Sequence, residues 1–254
     1  MTPEREAQLL EATNMLLNAR RTVQPMAALP AALAPVSVEE SFWVQDQLIG
    51  DYGEVGGYKI GAPTADATPM FCPMPRAWMA ESGTTFHGRR FRGLEAEIAF
   101  LLGADLPARA ARYSDEEVYA AVASCHPVIE ILESGLMDPM LPELRLQQIA
   151  DLQMHGGFAY GAAVEGWRGI DWTKETVAMA VDGSIRVERT GSNTSGDLRR
   201  LLPYLANEGA ARTGGLRAGQ WVTTGSWTGV ATATEHSAAD ARFGTAGRCG
   251  VRFD

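Results

Sequence analysis

Leucines recur at helical spacing near the start of the chain. Leu9, Leu10, Leu16 and Leu17 fit one apolar stripe, Thr2 can cap it and Pro3 suits the first helical position, so the pattern predicts a helix over 3–24. A Pro/Ala stretch from Pro25 to Pro35 cannot hold a regular helix throughout. Ser37 and Glu40 form a capping box that opens a second helix, with Val38, Phe42 and Ile49 on one side; Gly53, Gly56 and Gly57 end it. The texture then changes to short apolar runs between Gly, Pro, Asp and Ser turns. Strands are expected at 57–61, 94–102, 128–133, 157–164, 176–181, 184–190, 221–224 and 249–253. Asp182-Gly183 suits a tight type I′ hairpin turn. A capping box at Ser114 and Glu117 opens a helix to about Ser124, and a leucine-rich helix should run from Asp197 to about Glu208. Strands with a few inserted helices, and no regular β-α-β alternation, predict an α+β fold. The boundary falls between a small helical N-terminal region, 1–55, and a catalytic domain, 56–254.

One strand carries unusual charge. Gly-Leu-Glu-Ala-Glu-Ile-Ala-Phe-Leu-Leu (93–102) puts Glu95 and Glu97 on one face and Leu94, Ala96, Ile98, Phe100 and Leu102 on the other. Neighbouring carboxylates repel unless water or a cation separates them. A third carboxylate from another strand would complete an all-oxygen site for a hard divalent metal. Pro-Val-Ile-Glu-Ile-Leu-Glu-Ser supplies Glu130 and Glu133, which lie on opposite strand faces, so only one can join the pair. Glu-x-Glu alone also fits the solvated face of an amphipathic strand.

Composition narrows the classes. The 254 residues carry a net charge of −9, which argues against a nucleic-acid partner. No apolar run approaches the roughly 20 residues of a membrane span, and the polar N-terminus has no signal-peptide core. Three widely spaced cysteines (Cys72, Cys125, Cys249) suggest reduced thiols and a cytoplasmic protein. Only Lys59 and Lys174 are lysine, so chemistry that needs a titratable side-chain amine has two choices.

Gly-Tyr-Lys-Ile-Gly (57–61), Leu-Glu-Ala-Glu-Ile-Ala-Phe (94–100), Ile-Glu-Ile-Leu-Glu-Ser (129–134), Ala-Asp-Leu-Gln-Met-His-Gly-Gly-Phe (150–158) and Leu-Arg-Ala-Gly-Gln-Trp-Val-Thr-Thr-Gly-Ser (216–226) occur in a telling order. From about residue 37 onward the chain resembles the 2-keto-4-pentenoate hydratase group of the fumarylacetoacetate hydrolase superfamily. The resemblance implies a mixed β-roll core, and Mg²⁺ or Mn²⁺ held by Glu95, Glu97 and Glu130. It also implies a small-molecule 2-oxo acid substrate, a homo-oligomer, and a decarboxylase as a pathway partner. The implied reaction is addition of water to a 2-hydroxy-2,4-dienoate in aromatic catabolism. A 2-oxo-3-enedioate decarboxylase is the alternative, followed by an acylpyruvate hydrolase or a non-catalytic relative.

Lys59 is the expected proton shuttle, with its pKa depressed beside a metal. Asp151 is expected to be catalytic or to orient the site. Ser226, Leu152 and His155 are expected against the substrate. Leu152 and Gln153 depart from the Ala-Asp-Asn pattern of the related hydratases. The Met/Phe/Pro cluster at 69–75, with Leu152 and Met154, predicts an apolar distal pocket that favours a monocarboxylate, unless Arg76, Arg89, Arg90 or Arg92 reaches in.

Overall fold

Leu94, Ala96, Ile98, Phe100 and Leu102 all enter one hydrophobic core, as strand alternation requires, and this core lies between two sheets. The computed structural model describes all 254 residues. The larger sheet has eight strands. Its main path runs Met70–Pro75, Val55–Gly61, Trp221–Thr223, Gly93–Leu102, Val122–Leu132, His155–Tyr160 and Met79–Glu81, and Ala231–Thr232 pairs with Gly93–Leu102 off that path. The five-stranded sheet runs Ser184–Thr190, Thr176–Val181, Ala238–Phe243, Arg248–Phe253 and Thr85–Phe86. Val177, Met179, Ala241 and Val251 from this second sheet close the core over the apolar face of the first. The α+β class is as expected.

The helices Pro3–Thr22 and Val38–Tyr52 lie against the other side of the large sheet. Leu9, Leu16, Val44 and Leu48 pack there with Cys72 and Leu152. The caps match the sequence: the Thr2 hydroxyl accepts from the Arg5 N–H, and the Ser37 hydroxyl accepts from the Glu40 N–H. Arg20, near the end of the first helix, reaches into the sheet domain and pairs with Asp151 at 2.5 Å. It also donates to the carbonyls of Glu133, Asp151 and His155.

Several elements differ from expectation. The helix opened by Ser114 covers Asp115–Ala120, because the strand Val122–Leu132 begins early. The leucine-rich helix starts with a short 3₁₀ turn at Leu198–Arg200 and continues over Leu201–Asn207. Met70–Pro75 is a strand despite Pro73 and Pro75. It occupies the sheet edge, bonded only to Val55–Gly61, where a missing N–H costs no ladder bond.

Candidate active site

Strand register assembles the site. Glu95 stands directly opposite Glu130 on the neighbouring strand, and Glu97 follows on the same face. On the other side, Lys59 is in register with Thr223, which itself faces Ala99. Carboxylate oxygens of Glu95, Glu97 and Glu130 lie within 4.8 Å of one another. Glu97 and Glu130 are buried, and Glu95 is partly exposed.

Each buried carboxylate is oriented by neighbours. Glu130 Oε1 accepts from Lys59 Nζ at 2.6 Å and from His155 Nδ1 at 2.8 Å, while its Oε2 is buried without a partner. Glu97 Oε2 accepts from the Thr223 hydroxyl and from the Gly225 N–H. A buried carboxylate oxygen with no donor is costly unless a cation takes that place. Three carboxylates against one ammonium leave two uncompensated negative charges, which a divalent cation would balance. The donors are all hard oxygens. The residues present therefore fit Mg²⁺ or Mn²⁺.

The electrostatics follow from this crowding. Burial and the Glu130 charge push the Glu95 carboxyl up to about 7 against the pull of Lys59. Glu97 is raised well above its ordinary value by burial and by Glu130 and Glu95. Burial also works to raise Glu130, but Lys59 and His155 outweigh it, and the net direction is down. Burial lowers His155, so the ring is neutral and donates through Nδ1–H to Glu130. The depressed Lys59 expected beside a metal has an opposite counterpart in the metal-free site. Burial does pull the ammonium down, but Glu130, Glu95 and Glu97 override it and raise its pKa. Without a cation Lys59 is held protonated and gives up its proton reluctantly, because three carboxylates face it.

A cavity of about 350 Å³ opens beside these groups. Lys59, Glu95, Glu97 and Ser226 line it together with Gly225, Thr68, Met70, Gln153 and Arg145. Ser226, expected against the substrate, is on this cavity wall. Three expected contacts are not. Asp151 is fully buried behind the site, its carboxylate taken by Arg20, by the Ser134 hydroxyl at 2.5 Å and by the Gly135 N–H at 2.8 Å. Leu152 is buried in the core beneath the two N-terminal helices. His155 has no exposed surface; it backs Glu130 and stacks on Trp78 with centroids 5.8 Å apart. Glu133, the carboxylate left out of the triad, accepts from the backbone N–H groups of Arg90, Phe91 and Ser134.

Gln153 and Arg145 are functional candidates that sequence reasoning did not assign. Leu152, Gln153 and Met154 have φ of 51°, 49° and 65°, a left-handed turn without glycine. Each such residue costs about 1–2 kcal/mol. The turn aims the Gln153 carbonyl at Lys59 Nζ, 3.2 Å away, and its side-chain amide donates to the Phe71 carbonyl at 3.1 Å. The departure from Ala-Asp-Asn at this position was the available signal. The proposed arginines are elsewhere: Arg76 pairs with Glu54, Arg89 donates to the Gly156 carbonyl, Arg90 donates to the Leu136 carbonyl and Arg92 pairs with Glu235.

No protein-family model and no curated sequence matches this chain. Solved structures do. A 4-oxalocrotonate decarboxylase from Pseudomonas putida G7, complexed with calcium and acetate, aligns with a TM-score of 0.81 at 20% identity, covering 100% of this chain and 99% of its own. The same enzyme complexed with magnesium and adipate aligns equally well at 19% identity. A 2-hydroxyhepta-2,4-diene-1,7-dioate isomerase from Mycobacterium marinum aligns with a TM-score of 0.60 at 13% identity, covering 78% of this chain and 75% of its own. These neighbours include a Yersinia pestis CO92 protein assigned to the fumarylacetoacetate hydrolase family. The chain thus has the fold of fumarylacetoacetate hydrolase-like enzymes, and with the Pseudomonas decarboxylase it shares that fold from end to end, N-terminal helices included.

Proposed function

We propose that the protein is a divalent-metal-dependent decarboxylase of a 2-oxo-3-enedioate. The observation that carries this reading is one cavity lined by Glu95, Glu97 and the Lys59 ammonium, with Glu130 buried behind them on Lys59 and no further carboxylate or imidazole on its walls. Glu95, Glu97 and Glu130 would hold Mg²⁺ or Mn²⁺. The bound cation would supply Lewis-acid stabilisation of negative charge on the keto oxygen.

The chain's own residues do the rest. Thr223 and Gly225 fix the Glu97 carboxylate, and His155 and Lys59 fix that of Glu130, so the cradle is oriented before substrate arrives. The bond that breaks joins the tail carboxylate to its neighbouring carbon. Its electron pair passes through the conjugated double bond to the keto oxygen, and CO₂ leaves. This step needs an electron sink and no base. Lys59, the ammonium at the cavity wall, would then return a proton to the dienolate, a bound cation having drawn the carboxylates' charge away from it.

Hydration of a 2-hydroxy-2,4-dienoate would use the same cradle and the same lysine. It also needs a group that activates water at the far carbon. The remaining polar side chains in the cavity are Thr68, Arg145, Gln153 and Ser226, none of them a base at neutral pH. His87, the one histidine between Lys59 and Glu95, is engaged with Asp254. Acyl hydrolysis meets the same obstacle. The Pseudomonas structure holding magnesium and adipate, a six-carbon dicarboxylate, lends support from a chain of the same fold.

The test is product analysis with Mg²⁺ present. 2-Oxo-3-hexenedioate should release one CO₂ per molecule, and 2-hydroxypenta-2,4-dienoate should take up no water. Water uptake without CO₂ release would establish the hydratase instead.

A further inference from the structure

The cavity contains two cationic side chains, and they differ in one respect. Lys59 is neutralised by Glu130 at 2.6 Å. Arg145 pairs with no carboxylate: its guanidinium meets the Gln148 side-chain oxygen and lies 3.8 Å from Met70 Sδ. Both of those neighbours are uncharged. Arg145 is also exposed, at the start of the short helix Arg145–Ala150, while Glu97 on the same cavity wall is buried and Glu95 partly so. A lone guanidinium opposite a metal cradle presents a fork of donors suited to a carboxylate. Met70 and Ile60 supply apolar wall, which fits a short hydrocarbon chain between two charged ends.

We propose that Arg145 selects the substrate by binding the tail carboxylate of a dicarboxylic 2-oxo acid. This rests on the reading of the cavity as a 2-oxo acid site. Arg145 acts through binding and orientation. It holds the tail at the solvent end, from which CO₂ can escape. A strong, desolvated pair would hold back a departing carboxylate, and solvent exposure keeps this one weak. Arg145 therefore contributes to KM more than to kcat.

The experiment compares two stable six-carbon ligands by calorimetry in Mg²⁺: 2-oxoadipate, with a second carboxylate, and 2-oxohexanoate, without it. Wild-type protein should bind 2-oxoadipate about fivefold tighter, a difference of about 1 kcal/mol. Arg145→Gln should remove that preference with 2-oxohexanoate affinity kept, Arg145→Lys should restore part of it, and Arg145→Glu should reverse it. Thermal melts check that each variant is folded. If wild type binds 2-oxohexanoate but shows no preference, or if Arg145→Gln retains it, the clamp is overturned while the 2-oxo acid site stands. If neither ligand binds in a Mg²⁺-dependent way, the reading of the site fails and the clamp fails with it.

Discussion

Lys59 Nζ lies 2.6 Å from Glu130 Oε1, so the proton donor and one arm of the metal cradle form a single buried ion pair. This pairing separates two roles that a substitution could confuse. Lys59→Met should lower kcat by about 10²–10⁴-fold, the usual contribution of a general acid. It removes the cation that competes for Glu130, so metal affinity should hold or tighten. Titration with Mn²⁺ beside steady-state kinetics checks both; a variant that loses metal together with activity would make Lys59 a structural support.

The protein without metal should become less stable as pH rises from 6.5 to 8, above the range in which the lowered His155 and His126 act the other way. Glu95 titrates at about 7 in the fold against an ordinary 4.5, and Glu97 is shifted the same way. Raised carboxyls bind more protons folded than unfolded between those values, so their contribution to stability falls as pH climbs through about 7. Glu130 is lowered and Lys59 raised, so their windows lie below and above this range. Melting at pH 6.5 and 8 in EDTA should show the decline, and Glu95→Gln should flatten it. Mg²⁺ should raise Tm more at pH 8 than at pH 6.5, since protons compete for the same oxygens. A larger Mg²⁺ effect at pH 6.5 would contradict this.

Asp151 should matter for stability. Its side chain and that of Arg20 are 0% and 5% exposed, and the pair ties the first helix to the sheet. Asp151→Asn leaves a buried guanidinium without its counter-charge, which costs about 3–5 kcal/mol. Denaturant unfolding should show that loss, with turnover per folded molecule preserved. Unchanged stability with lost turnover would return Asp151 to the catalytic role expected from the sequence.

The cradle was legible because strand parity is a strong constraint. Glu95 and Glu97 had to share a face, and Leu94 through Leu102 had to bury the other. Lys59 stood out by rarity. What stayed hidden depends on the path of the chain between strands. Nothing in Ala-Asp-Leu-Gln-Met announces three left-handed residues, yet that turn buries Leu152, turns Asp151 toward Arg20 and gives the cavity Gln153. Met70–Pro75, rich in proline, gave no strand signal, and the sheet edge tolerates it. Arg145 lies in a short helix, Arg145–Ala150, for which no strong apolar period was read, and so its place at the cavity was invisible.

The central claim is that Glu95, Glu97 and Glu130 together hold one divalent cation. The most direct test is anomalous scattering from a crystal soaked in Mn²⁺, with Glu97→Gln as the paired control. One anomalous peak among the three carboxylates, lost in Glu97→Gln with the fold unchanged, is the predicted result. A Mn²⁺ peak bound elsewhere, with Glu130 still engaged only by Lys59 and His155, would contradict the account.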